Sequence, residues 1–265
     1  MHKTLLGAGL LAAALLIFCG SPAVLADDDP NMGVRCISYP SENLNLDAGT
    51  LECWFKFVGE TTDDPTLVLT MFSLGGQEGG LTATYTWYGK PDAPGMWHLR
   101  PAAKSSPLAT VGPEYKTDTW YHFAFTWSGA EWTLYLDGKT VSCGKGRVSK
   151  MTQPVTFADC IGKLTGKSVC GGSQLHFASA KTRLVVIDDL RVSTVARPPE
   201  ELGFAVGELK ADASTAILDN FETEFETDGV KTTKPLVIKH GEGGVPSIGC
   251  TFVEGKFGKG LQLTK

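Results

Sequence analysis

Side chains that could bind a sugar occur together between residues 87 and 100. Trp87, Tyr88 and Trp97 lie beside turns rich in Gly and Pro, and His98 and Arg100 follow closely. Flat apolar rings pack against sugar rings, and neighbouring polar groups donate or accept hydrogen bonds. We therefore predict that these five residues form a ligand-binding site. The alternative is that the rings are buried in the core.

Patterns typical of catalysis are missing from the sequence. A sandwich glycoside hydrolase places two carboxylates on one face of a strand, with a spacing such as Glu-x-Asp-x-x-Glu. The nearest run, residues 222–226, lacks the aspartate, and residues 162–168 are one position short of a phosphate-binding loop. Histidines and cysteines do not have zinc spacing, and His122 is predicted to be a structural residue. The sequence therefore predicts a protein that is not an enzyme.

The predicted ligand-binding residues must be positioned by β-strands. Three strands are predicted between residues 120 and 143. Residues 120–127 are nearly all aromatic, β-branched or small and apolar, which suits a buried strand better than a helix. A turn at 128–130 precedes residues 132–136, where apolar and polar side chains alternate. Asp137-Gly138 then favours a type I′ turn, so that the chain folds back as a third strand.

Similar short runs recur along the chain between clusters of Gly and Pro. The other predicted strands are residues 34–39, 51–57, 67–72, 81–88, 96–100, 174–177 and 184–192. Helical periodicity is nearly absent, and the one helix-like signal is residues 197–202, where prolines precede acids. Many short strands with frequent turns predict an all-β fold, in which two antiparallel sheets form a β-sandwich.

The N-terminus has the order of a secretory signal. A basic start is followed by apolar residues 5–18 and by a small-residue site that ends at Ala26. The apolar run is too short to span a bilayer. We therefore predict a signal peptide at residues 1–26, a linker at residues 27–32 and a mature chain without a transmembrane segment that is secreted, periplasmic or at the cell surface. The alternative is a lipoprotein retained through Cys19.

Charge and cysteine usage fit an exported chain. The 265 residues carry a formal net charge of -5, which does not favour nucleic acid or anionic lipid as a partner. Six of the seven cysteines lie beyond residue 26, and an even number in an exported chain favours disulfides. Cys160 with Cys170 is the first candidate pair, because glycines let the intervening loop turn back. The alternative is that several cysteines are buried small hydrophobic residues.

Four sequence blocks occur in an order known from one family of sandwiches. The blocks are residues 49–56, 120–127, 134–139 and 187–202. Over residues 33–206 the chain resembles laminin-G-like domains, which have the concanavalin A-like jelly-roll fold. The resemblance implies a two-sheet antiparallel sandwich in which Trp54, Trp120 and Trp127 fill core positions.

The opening strands of such a domain are missing before residue 33, and similar segments occur at the C-terminus. Residues 216–222 match the apolar strand start, and residues 253–263 match a Gly-Lys-Phe-Gly-Lys strand. We interpret this order as a circular permutation, with residues 33–265 forming one domain.

In this interpretation, residues 212–265 complete a sheet that would otherwise leave backbone groups unpaired. The alternative is a truncated second domain that begins at about residue 212. The permuted arrangement predicts two strand pairings, of residues 261–264 with 34–38 and of residues 216–221 near 184–192.

The resemblance also implies a metal site and a function. Related sandwiches often hold calcium with loop oxygens, which Asp188, Asp189, Glu222 and Asp228 could provide here. The alternative is that the first two pair with basic neighbours or backbone groups. We expect an exported, non-catalytic binding module for glycans or for a matrix or cell-surface protein. The alternatives are a structural component of a cell-envelope complex and a glycoside hydrolase.

Overall fold

The fold is known from a computed structural model, in which antiparallel strands dominate. The structure describes residues 36–39, 43–45, 47–58, 67–74, 81–87, 96–100, 108–111, 115–145, 155–157, 184–227, 230–240, 245–248 and 250–263. The predicted signal peptide and linker lie outside the described residues, as do Tyr88, Asp228, the cysteine pair 160 and 170, and the predicted strand 174–177.

The described residues form eighteen strands. These are β1 (Cys36–Tyr39), β2 (Ala48–Val58), β3 (Leu67–Leu74), β4 (Leu81–Trp87), β5 (Met96–Arg100), β6 (Leu108–Val111), β7 (Trp120–Ser128), β8 (Glu131–Leu136), β9 (Lys139–Lys145), β10 (Val155–Phe157), β11 (Leu184–Ser193), β12 (Thr215–Asp219), β13 (Glu224–Thr227), β14 (Val230–Thr233), β15 (Val237–Ile238), β16 (Val245–Ile248), β17 (Cys250–Glu254) and β18 (Lys259–Leu263). A 3-10 turn at Pro199–Glu201 and a short helix, α1, at Gly203–Val206 follow β11.

The strands form two antiparallel sheets, as the sequence predicts. Sheet 1 has the order β13-β14-β16-β1-β10-β3-β4-β5-β6. Sheet 2 has the order β15-β12-β11-β2-β7-β8-β9, with β18 on β11 and β17 on β18. Within the described part of the chain, no helix combines the length and the apolar composition needed to cross a bilayer.

The three-stranded meander predicted between residues 120 and 143 is confirmed as β7, β8 and β9. Trp127 lies opposite Trp132 across β7 and β8, and Leu136 lies opposite Lys139 across β8 and β9. Asp137 has a φ of 47° and Gly138 a φ of 73°. Positive φ at both central residues is the requirement of a type I′ turn, which explains why this dipeptide marks the hairpin.

Aromatic side chains from both sheets form the core. Phe55 of β2 and Phe123 of β7 are fully buried and contact Trp97 of β5, with ring centroids 6.5 and 5.2 Å apart respectively. Each fully buried aromatic or aliphatic side chain contributes roughly 1.5–3 kcal/mol through the hydrophobic effect. The core therefore lies between the two sheets, and their other faces are the ones that could meet a ligand.

The C-terminal segment contributes strands to both sheets. The predicted pairing of residues 216–221 near β11 is confirmed, since Ile217 lies opposite Val192 and Asp219 opposite Leu190. The predicted pairing of residues 261–264 with residues 34–38 is wrong. Leu261 lies opposite Ile187 of β11, and β1 pairs with β16 and β10 instead.

A bulge in β11 is the physical reason for this difference. The register of β11 against β2 shifts between Asp188 and Arg191, and Asp189 has a φ of 46°. A bulge bends a strand and interrupts its ladder. One edge of β11 is therefore shared, by β18 along Val185–Ile187 and by β12 along Leu190–Ser193. The permuted arrangement of residues 33–265 stays our interpretation of this segment.

Candidate functional site

The outer face of sheet 2 collects most of the buried polar side chains. Along β2 the core residues Cys53, Phe55 and Phe57 alternate with Glu52 and Trp54, because successive side chains of a strand lie on opposite faces. The loop after β11 covers part of this outer face. The carbonyl of Val195 accepts a hydrogen bond from the hydroxyl of Thr50, and the N–H of Gly203 donates to Glu52.

Glu52 is the centre of a fully buried ionic cluster. Its Oε1 accepts hydrogen bonds from Arg191 Nε at 2.9 Å and Nη2 at 2.6 Å. Its Oε2 lies 3.1 Å from His122 Nε2 and 2.8 Å from the Gly203 nitrogen. Burial alone would raise the pKa of Glu52, but the hydrogen bond from His122 and the charge of Arg191 hold the pKa below its usual value. Glu52 is thus a satisfied structural anion, and the prediction of a structural His122 is confirmed.

The two adjacent aspartates of the β11 bulge accept backbone hydrogen bonds. Asp188 Oδ2 accepts from the N–H groups of Lys256 at 2.7 Å and Phe257 at 2.9 Å, and its Oδ1 accepts from Asp189. Asp189 Oδ2 accepts from Leu209 at 2.8 Å. Burial raises the pKa of Asp188 to about 7 and that of Asp189 to about 6. These carboxylates fix the turn between β17 and β18 and the segment after α1.

The predicted calcium ligands are only partly brought together. Asp188 and Glu222 meet the same turn, because Glu222 Oε1 accepts the N–H of Lys259 at 2.7 Å. Both oxygens of Asp188 face amide N–H groups, which fits a backbone cap rather than calcium ligation. Among the described residues, no group of three or more His, Cys, Asp or Glu could hold a metal ion. Asp228 lies outside the described residues, and calcium at the other three positions stays a prediction.

The predicted ligand-binding residues do not form one cluster. Trp97 is fully buried in the core and donates its indole N–H to Tyr115 Oη at 2.9 Å, so its assignment to the ligand site is corrected. Trp87 ends β4 opposite Leu67. Arg100 lies opposite Thr82, at the other end of the β4–β5 pair, roughly 14–17 Å from Trp87 along the strands. His98 lies between them.

Trp54 and Trp120 are the two tryptophans that the sequence assigns to the core and the structure places on the outer face of sheet 2. Trp127 lies in the core as expected, but Trp120 is only half-buried, and the Lys56 ammonium lies 5.0 Å from its ring centroid. Trp54 is buried on the outer face, where the Lys256 ammonium lies 3.9 Å from its ring centroid. The period of two could have shown this, because inward Phe123 and Trp127 require outward Trp120.

Two cysteines of the described strands, Cys53 and Cys143, differ in environment. Cys53 is buried in β2, and burial raises the pKa of its thiol well above the usual value. Cys143 is exposed on β9 and is a free thiol. The predicted pair of Cys160 and Cys170 lies outside the described residues, and the disulfide stays a prediction.

Comparison with known proteins identifies the family. Residues 33–203 match the sequence profile of Laminin_G_3, described as the concanavalin A-like lectin/glucanases superfamily. The match covers more than half of the chain. The chain belongs to this superfamily. Membership in the concanavalin A-like superfamily agrees with the two packed antiparallel sheets and confirms the resemblance drawn from the sequence.

Solved structures that resemble this chain are distant from it in sequence. A candidate carbohydrate-binding protein from Bacteroides ovatus is 13% identical with a TM-score of 0.50, covering 88% of this chain and 61% of its own. The heptameric SAP-like pentraxin of Limulus polyphemus is 17% identical with a TM-score of 0.43, covering 67% of this chain and 76% of its own. No curated protein matches the chain significantly. At 13% identity the similarity to the Bacteroides ovatus structure shows the fold alone.

The superfamily description contains both lectins and glucanases. Whether the carboxylates of this concanavalin A-like domain are hydrogen-bonded within the chain or accessible to a substrate therefore bears on its activity. Among the described residues, the buried carboxylates are Glu52, Asp188, Asp189 and Asp219. Each accepts at least one hydrogen bond from within the chain. Asp189 Oδ1 is the one oxygen of these four groups that lacks a partner in the described region. None of these groups is exposed to solvent.

Proposed function

We propose that this chain is an exported, non-catalytic binding module for glycans. Its superfamily comprises lectins and glucanases. The observation that carries the proposal is that each buried carboxylate of the described residues accepts hydrogen bonds from within the chain. A glycosidase needs two carboxyl groups that both reach the scissile bond. Glu52 is fully buried against Arg191 and His122, so it serves the fold. This favours the lectin type of activity.

Asp188 is the group that comes nearest to a general acid. Burial raises its pKa to about 7, which is the range used for proton donation to a leaving group. Three backbone N–H groups point at its two oxygens, and its side chain is fully buried beneath the β17–β18 turn. A substrate oxygen would have to displace this turn. The geometry of Asp188 therefore supports a structural role.

The ligand contacts that we propose are Trp87, Tyr88, His98 and Arg100 around strands β4 and β5. The register places His98 and Arg100 on one face of this strand pair and Trp87 on the face that carries Trp97. Trp87 with Tyr88 at the end of β4, and His98 with Arg100 on β5, would therefore provide two separate contact surfaces for saccharides. Trp97 supports the site from the core side through its hydrogen bond to Tyr115.

A glycan array probed with the mature chain tests this proposal, together with an assay for released reducing ends. We expect binding to a subset of oligosaccharides without hydrolysis. The double variant Trp87→Ala/Tyr88→Ala should lose neutral-glycan binding at least tenfold, whereas Tyr135→Ala on β8 should retain it. Reducing-end release would establish an enzyme, and unchanged binding by the double variant would remove this site.

A protein partner is the second candidate function, and the surface of α1 favours it. Phe204 is 50% exposed and Val206 is 53% exposed, although large apolar side chains are usually less accessible. Exposed aromatic side chains such as Phe204 are enriched at protein interfaces. An array without glycan binding, together with a partner recovered from the cell envelope and lost in Phe204→Ser, would favour this alternative.

A further inference from the structure

A row of side chains with complementary chemistry crosses the outer face of sheet 2. Strand register places Trp120 opposite Lys56, Lys56 opposite Val186, Val186 opposite Gln262, and Gln262 opposite Thr251. We call these five residues the Trp120–Thr251 row. Neighbouring strands are about 4.8 Å apart, so a row over five strands is about 19 Å long. Four residues of the row are half-buried, namely Trp120, Lys56, Gln262 and Thr251, while Val186 at its centre is buried.

The row has the contacts that an acidic sugar needs. Trp120 provides a partly exposed aromatic ring, and the Lys56 ammonium lies 5.0 Å from the centroid of that ring. The amide of Gln262 and the hydroxyl of Thr251 can exchange hydrogen bonds with sugar hydroxyls. A ring beside an ammonium matches a sugar that carries both an apolar face and an anionic group.

A second cation lies beside the row. Lys256 belongs to the β17–β18 turn, and its ammonium lies 3.9 Å from the centroid of Trp54 and 5.5 Å from that of Phe257. Trp54 and Lys56 are two positions apart on β2, so they share the outer face. The indole N–H of Trp54 is buried without an acceptor in the described part of the chain. Two ammonium groups therefore lie on this face, one over the ring of Trp120 and one over the ring of Trp54.

The two lysines of this face stand out against the net negative charge of the chain. The chain has a net charge of -5, so its overall field repels polyanions. Two carboxylates near the turn accept backbone hydrogen bonds, Asp188 from Lys256 and Phe257, and Glu222 from Lys259. A third, Glu254, is exposed at the end of β17. None of the three is paired with Lys56 or Lys256 in a described salt bridge.

We infer that the Trp120–Thr251 row, together with Lys256, is a binding site for acidic saccharides, whose carboxylate or sulfate groups contact Lys56 and Lys256 while a sugar ring stacks on Trp120. This site lies on sheet 2 and is separate from the neutral-glycan site proposed on strands β4 and β5. It rests on the proposed binding function only in that both ligands are saccharides.

Calorimetric titration of the mature chain with four tetrasaccharides tests the inference. The probes are a galacturonate tetrasaccharide, the same compound with its carboxyls reduced to alcohols, a heparin tetrasaccharide and cellotetraose. We expect binding of an acidic probe that weakens as salt increases, since exposed ion pairs are screened. The galacturonate and heparin arms distinguish carboxylate from sulfate as the recognised group. Galacturonate binding that survives reduction of the carboxyls unchanged, or binding of neither acidic probe, would overturn the inference.

Variants locate the site. Lys56→Ala and Lys256→Ala should each weaken acidic-probe binding about tenfold, the usual effect of losing one charge-assisted contact. Lys56→Arg should retain most of the affinity. Trp120→Ala should lose the affinity although both Lys56 and Lys256 are still present. Lys139→Ala, an exposed lysine at the start of β9, is the matched control. An equal loss in Lys139→Ala would show attraction to net charge alone and would overturn the inference.

The two proposed saccharide sites can fail separately. The Trp87→Ala/Tyr88→Ala variant should bind the acidic probe as the wild type does, and Lys56→Ala should bind neutral glycans as the wild type does. Loss of acidic-probe binding in the first variant would place the acidic ligand on β4 and β5 and would overturn the assignment to the row. Circular dichroism of every variant checks that the fold is retained.

Discussion

Tyr39 donates its phenolic hydrogen to Asp219 Oδ2 at 2.8 Å, across 180 positions of sequence and from one sheet to the other. Asp219 Oδ1 also accepts from the hydroxyl of Thr233 at 2.9 Å and from the N–H of Phe221 at 3.0 Å. All four residues are fully buried. This carboxylate therefore connects β12 of sheet 2 with β1 and β14 of sheet 1, and it fastens the C-terminal segment to the first described strand.

Tyr39→Phe should reduce the free energy of unfolding by about 1–3 kcal/mol, because the buried carboxylate of Asp219 loses a hydrogen bond that nothing nearby replaces. Urea unfolding followed by tryptophan fluorescence measures the change. Tyr135→Phe, a half-buried tyrosine on β8, is the matched control and should unfold as the wild type does. Equal midpoints for the two variants would contradict a stabilising role of the inter-sheet hydrogen bond.

Stability should decrease as the pH rises from about 4 to about 7. Burial raises the pKa of Asp219 from 3.8 to about 6, so the folded chain retains a proton that the unfolded chain has released. The stabilising effect of the neutral carboxyl is complete below pH 3.8 and is lost as the pH rises through about 6. A rise of this size corresponds to roughly 3 kcal/mol. Urea unfolding at a series of pH values measures the slope.

Two variants separate Asp219 from other groups. Asp219→Asn should reduce the slope but not abolish it, because burial also raises the pKa of Asp188 to about 7 and that of Asp189 to about 6. Asp47→Asn at an exposed site should leave the slope unchanged. Below pH 4 the trend should reverse, because the pKa of Glu52 and that of Asp212 lie below their usual values and the stability that they contribute is lost on protonation. The optimum should therefore lie near pH 4–5. Stability that increases steadily up to pH 8 would contradict the assignment.

The sequence predicts the β7–β8–β9 meander because the residues that determine it are close together in the chain. A run of β-branched and aromatic residues, a period of two and an Asp137-Gly138 turn all occur within 24 residues of sequence. The partner of β18 is different. Its position depends on the bulge at Asp189, where a positive φ frees part of the β11 edge. Nothing in the sequence near residues 259–263 encodes a bulge that lies seventy positions away.

The exposure of aromatic rings is the part of the site that sequence predicts least well. Trp97 is predicted at the surface, but Phe55 and Phe123 of the opposite sheet contact its ring. Trp120 is predicted in the core, but the alternation within β7 turns it outward beside Lys56. The error for Trp97 comes from contacts between strands distant in sequence, whereas the face of Trp120 follows from the alternation within β7. The cation–aromatic pairs need the register of three strands before they can be recognised.

Glu52→Gln should reduce the free energy of unfolding by about 3 kcal/mol and leave glycan affinity unchanged. The substitution leaves the Arg191 guanidinium buried without its counter-charge, and unpaired buried charge is strongly destabilising. Thermal unfolding and calorimetric titration of the same preparation measure the two quantities. Glu131→Gln at an exposed position of β8 is the control. A stable Glu52→Gln variant that no longer binds glycan would place Glu52 in the ligand site instead.

Removal of residues 207–265 should leave a fragment that does not fold. β12 and β18 pair along the free edge of β11, and Leu261, Ile217 and Phe221 are fully buried in the shared core. The fragment of residues 33–206 would therefore expose an unpaired strand edge and apolar side chains, a combination that promotes aggregation. Solubility and cooperative unfolding measure this. Co-expression of residues 207–265 as a separate chain should rescue it, whereas a soluble fragment with its own cooperative transition would support a second domain from residue 212.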